Sequence, residues 1–484
     1  MTADDDTCFV LDDQADYGIE TPAGHPEITR WQVLAHRRHQ RPSLVLLAGE
    51  TLLFSPERRD GGSCTTELLI CFCAGLPQIS DDGLEVEVGV VDVDALRPLF
   101  LVPLRRGEEA VDRQLSLVMP PQISSGRYYV RCLPGPAGDP CADWLAIREL
   151  VVAPPEHVAR VRARSFPRLR ALNEREHFAA AYQHPMYLER FKRASSIDSL
   201  IPSARSLAIA DGCSNAFDLA HAMLGQRGSS DVPDFTARLC SLYAVRGRPL
   251  RVVSLCAGTA ATEAALLRGA PHVQVELTLV DVDSSLLDIA QQRDWRDTVL
   301  LKHVQDVNGL SLPHAAFDIV LCVSGAHHLV ELEHVFSQIR AALAPGGELW
   351  LIGEQVGPNG NRLDAAALAA ANAAFAALPE ELRRNQRTRI ADSTLPNQDC
   401  AEATFEGIRS DDIERVLARY FMPVELCRRN VFLWRIVGPD YVLNYDIARA
   451  DHRRLLEQLV DADIAAAANG LRPTELHGVY RAIF

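Results

Sequence analysis

The chain has 484 residues, 48% of them hydrophobic, and a formal net charge of -15 from 49 basic and 64 acidic side chains. That length and apolar share suffice to bury the cores of two or three domains. No run of Lys or Arg concentrates positive charge, so neither nucleic acid nor an anionic membrane is an expected partner.

The first residues, MTADDDTCFVLDDQ, lack the basic start and apolar core of a signal peptide, and no later apolar run is long enough to span a bilayer. A cytoplasmic location is therefore expected. Twelve cysteines run from Cys8 to Cys427 without a CxxC pair, which fits reduced, mostly buried thiols rather than a disulfide framework or a metal set.

Up to residue 155 the chain alternates short apolar runs (SLVLLAG, TELLICFC, LEVEVGVVDV, LFLVPL, GRYYVRC) with turn-rich stretches (DDG, RRGEE, PPQISSG, PGPAGDP). Repeated strands with such turns predict a β-sandwich over 1–155. Its last part, ISSGRYYVRCLPGPAGDPCADWLAIRELVV, resembles the closing strands of carbohydrate-binding sandwiches. A sugar-binding role stands there against a structural or dimerising one, and a homodimer stays open. A Pro pair at 154–155 opens a helical stretch, and LNEREHFAAAYQHPMYLERFKR and AFDLAHAML predict a helical cap or lid over 156–247. Its Tyr182, His184 and Tyr187 are candidates for cofactor or substrate contact, with core packing as the alternative.

From 248 to 484 the pattern changes to strand alternating with helix: RVVSL, VELTLVDV, FDIVLCVS and GELWLIGE, each followed by a helix-compatible run. Buried strands at that spacing predict an α/β domain, a mostly parallel sheet doubly wound by helices. PVELCRRNVFLWRIV and LHGVYRAIF supply late strands, at least one of them antiparallel, around a helix near 447–468. The turn in RVVSLCAGTAATEAALLRG follows the first of these strands and opens a helix, the place where α/β folds hold nucleotide-like cofactors.

Five blocks in order, VVSLCAGTAATEAAL, LTLVDVDSSLLDIA, HVQDVNGLSLP, FDIVLCVSGAHHL and LAPGGELWLIGE, resemble the class I S-adenosylmethionine-dependent methyltransferases, with their Rossmann-like fold. The resemblance is close over 250–354. It implies S-adenosyl-L-methionine as cofactor, held at Cys256, Ala257, Gly258, Thr259, Asp281, Val282, Asp306, Val307 and Ser324. Asp281 would take the ribose hydroxyls and Asp306 the adenine amino group. The family's loop carries an acid and three alternate glycines, whereas this chain has Ser254 for the acid and Cys256, Gly258 and Ala260 for the glycines. Asp283, two residues past Asp281, reads better as a helix N-cap.

The resemblance also places His327 and His328, in SGAHHL, at the methyl acceptor. A neutral imidazole titrates near working pH and suits removal of a hydroxyl proton. The alternative is that one of them only packs or caps a helix. Glu354 is a further catalytic candidate, to orient a histidine or the substrate, with a structural role equally open. No metal set is expected, because His327, His328 and His334 with Glu331 and Glu333 spread around a helix rather than along one face. The resulting expectation is methyl transfer to oxygen on a small molecule or glycan. A scaffold protein with a degenerate cofactor loop and an NAD-dependent oxidoreductase remain as alternatives.

Overall fold

The computed structural model describes residues 7–12, 14–25, 27–33, 42–58, 66–74, 83–92, 95–104, 113–119, 127–135, 143–187, 200, 213, 215–228, 231–296 and 298–483. The expected turns RRGEE and PPQISSG, most of PGPAGDP and the LERFKR stretch lie outside these residues. The chain divides into two compact units, Met1–Ala171 and Leu172–Phe484.

Among the described residues of the first unit, every strand pairing is antiparallel. One sheet runs Arg113–Met119, Thr66–Ala74, Trp144–Ala153, Thr7–Val10, Glu57–Arg58, with Pro42–Leu47 also on Trp144–Ala153 and Trp31–Val33 beyond it. The other runs Tyr17–Glu20, Thr51–Phe54, Tyr128–Leu133, Leu84–Asp92, Ala95–Leu104. Alternation decides which face is buried: in Leu84–Asp92, Leu84, Val86 and Val88 are buried while Glu85 and Glu87 are half-exposed. Leu44, Ile70 and Ile147 of the first sheet and Leu52, Val86 and Val130 of the second belong to one apolar cluster. The two sheets therefore share a core.

The second unit is built on one sheet whose strands we number β1 (Leu250–Leu255), β2 (Val275–Asp281), β3 (Val299–Val304), β4 (Phe317–Val323), β5 (Leu343–Gln355), β6 (Phe421–Arg429) and β7 (Glu475–Ala482). Their order is β3-β2-β1-β4-β5-β7-β6. The first five are parallel and β7 is antiparallel to both its neighbours. β1 is buried along nearly its whole length, as its unbroken LRVVSL run requires of a strand covered on both faces. The strand order reverses between β1 and β4, and in such sheets the crevice beyond the carboxyl ends of those strands is where ligands bind.

The region 156–247 is not a unit of its own. Val158–Ala163 belongs to the first unit, and the unit division falls inside α1 (Pro167–Gln183). α2 (Ala216–Arg227) packs in a cluster with Leu456 and Val460, and α3 (Phe235–Arg246) packs on the sheet, with Phe235 against Trp350 at 5.4 Å between ring centroids. α3 is also tied down by Arg238, whose guanidinium donates two 2.6 Å hydrogen bonds to the buried Glu348. Helices held this way are part of the body of the unit rather than a lid over it. FLWRI, expected as strand, instead contains a short helix, Leu433–Ile436, because three backbone amides from 431 to 433 donate to the buried Asp463 and turn the chain.

Candidate functional site

The carboxyl ends of β1 to β5 bring together Cys256–Ala260, Asp281–Asp283, Asp306, Ser324–His328 and Glu354. Because Leu255 pairs with Val280, Asp281 stands beside the turn that follows β1. Its Oδ2 accepts the Gly258 amide at 2.8 Å and its Oδ1 accepts the Asp283 amide at 2.8 Å. Burial raises the pKa of the Asp281 carboxyl, and these two amide donors act against that rise. Asp283 caps α5 (Ser284–Gln291), accepting the Ser285 amide at 2.8 Å.

The turn after β1 holds three left-handed residues at alternate positions, with φ +53° at Cys256, +51° at Gly258 and +48° at Ala260. Ser324 after β4 is also left-handed, at +48°. Each non-glycine residue in that region costs about 1–2 kcal/mol, so the surrounding packing must impose the conformation. Part of it is visible: Arg293 Nε donates to the Thr259 carbonyl at 2.5 Å and its Nη2 to Thr259 Oγ1 at 3.2 Å. α4 (Ala261–Gly269) follows Ala260 without a side-chain cap, so the helix begins directly on that turn. Ser254, where the family has an acid, is fully buried and donates to Glu263 Oε1 at 2.5 Å. The carboxylate missing from the strand is thus supplied by α4, and burial raises its pKa.

Asp306 follows β3 and is occupied locally: its Oδ1 accepts the Asn308 amide at 2.9 Å and the Asn308 side-chain amide at 3.0 Å. Val307 is buried, while Val282 beside Asp281 is 56% exposed, an apolar side chain left in the open at the mouth of the crevice. Of the other candidates, His184 accepts the Met186 amide on Nδ1 at 3.3 Å and Tyr187 packs on the cluster that includes α2, so both lie in packing. The side chain of Tyr182 lies outside the described residues.

The acceptor end of the crevice is more elaborate. Glu354 is fully buried, and its two oxygens accept the amides of Gly325, Ala326 and His327 at 3.1, 2.8 and 2.9 Å. Its Oε1 is also 2.6 Å from His327 Nδ1, so Glu354 fixes both the turn and the ring. Glu354 is therefore a positioning residue for His327. His328 Nδ1 lies 2.6 Å from Glu174 Oε1 of α1, and the ring packs on Phe178 of the same helix, 5.5 Å between centroids. Residues 174 and 178 are one helical turn apart and share a face.

Glu406 completes the group. Its Oε1 is 3.4 Å from His327 Nε2 and its Oε2 is 3.5 Å from His328 Nε2. Asn361 Nδ2 donates to Oε1 at 2.5 Å, and the Phe405 amide donates to Glu174 Oε2 at 3.1 Å, fastening the 404–407 turn to both sides of the site. Gly407 makes the turn feasible: its φ is +69°, and a Cβ there would lie 2.4 Å from Asn361 Oδ1. Burial opposes charge on His327, yet Glu354 and Glu406 outweigh it and raise the ring's pKa to about 10. Burial also opposes charge on Glu406, and the two imidazoles hold its carboxyl well below the usual range. Glu406 and Glu174 were not found in the sequence, where nothing in their spacing ties them to the histidines. His334, grouped with the pair there, turns away and bonds the Leu310 carbonyl at 2.9 Å. Among the described residues, His327, His328 and Glu406 place ligand-type atoms within 4.8 Å of one another, a grouping that spacing in the sequence did not bring together.

The family described as "Methyltransferase domain" matches residues 254–351. A demethylmenaquinone methyltransferase of Chlamydia pneumoniae is 30% identical over 112 residues, which is 23% of this chain and 47% of that protein. The chain thus spans about half the length of that curated relative. Among solved structures, a S-adenosylmethionine-dependent methyltransferase of Mesorhizobium loti is 18% identical over 50% of this chain and 96% of its own, with a TM-score of 0.29. An amino pentose methyltransferase of Micromonospora echinaspora is 22% identical over 24% of this chain and 48% of its own, with a TM-score of 0.20. Residues 254–351, which carry the turn after β1, Asp281 and the strands β2 to β4 in order, are thus similar to methyltransferase domains.

Proposed function

We propose that the second unit transfers a methyl group from S-adenosylmethionine to a hydroxyl oxygen of a small molecule or glycan. The observation that carries this reading is the cradle at Asp281, a buried carboxylate anchored by two backbone amides beside a left-handed turn. Two anchored amides leave further lone pairs on its oxygens, which suits a vicinal pair of ribose hydroxyls. The backbone of Cys256, Ala257, Gly258 and Thr259 would follow the cofactor, with Val282 and Val307 as apolar contacts for its base. Asp306 has Oδ2 left for an adenine amino group, its Oδ1 being taken by Asn308.

The bound sulfonium supplies an activated methyl group, so the chain's own task is to align the acceptor, exclude water and manage its proton. His327 and His328 stand at the end of β4, with Glu354, Glu174 and Glu406 around them. His327 is poised to keep its proton at neutral pH, which favours His328 as the ring that faces an incoming hydroxyl. The first unit fits a β-sandwich whose faces share one core, with sugar binding or dimerisation as its proposed role.

The test is transfer of a labelled methyl group to a panel of hydroxylated small molecules and glycans. His328→Asn is expected to lower turnover by about 100-fold to 10,000-fold and to leave cofactor affinity nearly unchanged. Absence of S-adenosylmethionine binding by the wild-type chain would overturn the reading.

A further inference from the structure

We propose that His327 Nε2, His328 Nε2 and the Glu406 carboxylate form a binding site for one divalent cation at the acceptor end of the crevice. Ligands about 2.1 Å from one ion at a tetrahedral angle stand about 3.4 Å apart. Glu406 Oε1 to His327 Nε2 is 3.4 Å and Oε2 to His328 Nε2 is 3.5 Å, and the ligand-type atoms of all three residues lie within 4.8 Å.

The carboxylate behind His327 points the same way. A metal-bound imidazole usually places its other nitrogen against a carboxylate, which fixes the ring and makes the ligating nitrogen more basic. His327 does this here, its Nδ1 hydrogen-bonded to Glu354 Oε1 at 2.6 Å, while His328 Nδ1 lies 2.6 Å from Glu174 Oε1 without hydrogen-bond geometry. That leaves both Nε2 atoms turned to the same third carboxylate. An ion displaces the proton that His327 otherwise carries, so three carboxylates and two neutral imidazoles then give three negative charges, of which a divalent ion leaves one. The two rings lie close, with centroids 4.1 Å apart, although adjacent residues of the 3-10 helix Ala326–His328 stand about a third of a turn apart.

Two imidazoles and one carboxylate suit zinc, manganese, iron(II), cobalt or nickel better than magnesium or calcium, which favour all-oxygen shells. Three protein ligands leave positions open for substrate. The role, though not the site, rests on the transfer reading: with the ion in place His328 Nε2 is a ligand rather than the base, and a hydroxyl bound to the ion would lose its proton more readily, since an ion lowers the pKa of bound oxygen acids.

The experiment titrates the full chain, freed of metal by chelator, with cobalt(II) followed by its visible absorption, and with zinc and magnesium by calorimetry. One cobalt or zinc ion per chain is expected, with magnesium far weaker. Glu406→Gln and His328→Asn should each weaken zinc by about 100-fold or more, and Glu354→Gln by about 10-fold to 100-fold. Far-UV circular dichroism checks that each variant is folded. If one variant does not fold, the cobalt spectrum of the wild type still decides, because a tetrahedral protein site gives intense d–d bands that octahedral cobalt in water does not. No stoichiometric ion in the wild type, or equal affinity in folded variants, overturns the proposal. The titration contains neither methyl donor nor acceptor, so its failure leaves the transfer reading standing, and failure of cofactor binding leaves the ion site standing.

Discussion

Replacing Asp281 by Asn tests the cofactor cradle at its centre. The side chain keeps its shape but exchanges one acceptor oxygen for an NH2 group. In the structure both oxygens already receive a backbone amide, Gly258 at one and Asp283 at the other, each at 2.8 Å. Whichever way the amide flips, one of those N–H groups then faces another donor. A buried donor left unmet costs about 1–3 kcal/mol. The unfolding free energy of the variant should fall by about that amount. Cofactor affinity falls separately, because the ribose hydroxyls lose charge-assisted bonds to a carboxylate, each worth about 1.5–3 kcal/mol. At about 1.4 kcal/mol per tenfold, the dissociation constant should rise at least about tenfold. Urea unfolding and calorimetric titration with S-adenosylmethionine read the two effects apart. A folded variant with unchanged affinity would refute the assignment, and one with unchanged stability would refute the anchoring.

Asp318 predicts an acid limit. It is fully buried and accepts bonds from Arg248 Nη1 and Nη2 at 2.8 and 2.9 Å and from the Arg251 amide at 2.9 Å. Burial would raise its pKa, but these partners outweigh it and lower the value below 3.8. A lowered folded pKa gives stability that is complete above the unfolded value and lost as pH falls through the folded one. The urea midpoint of the wild type should therefore drop below about pH 4, and Asp318→Asn should lose that part of the acid slope; parallel profiles would exclude it. Gly407→Ala should destabilise by more than about 1 kcal/mol and weaken any property that depends on Glu406, because its φ of +69° and the 2.4 Å approach of Asn361 leave no room for Cβ. Thermal melts check this, and an unchanged melting temperature would remove the strain argument.

Periodicity and turn residues made β1 to β5 legible, because a buried parallel strand must be an apolar run and each crossover must be a helix. The same local logic identified Asp283 as a cap and placed Gly258 and Asp281 at one crevice. It did not separate the helices before β1 from the body, since an apolar helical face is the same whether it meets a sheet or a substrate. It mistook FLWRI for strand, because the turn there depends on Asp463, a residue distant in sequence. Nor did it see that Glu263 stands in for the acid missing at Ser254, or that Cys256 and Ala260 hold glycine-like conformations. The largest difference lies at the histidine pair. The SGAHHL block marked His327 and His328, but what they can do depends on Glu174, Glu354 and Glu406, which come from a helix, a strand end and a turn far apart in the chain. Residue type and spacing determine which groups a strand end presents, while their charge state and partners are fixed only when the sheet brings distant carboxylates within a few ångströms, where Coulomb interactions in a dry pocket outweigh any local preference.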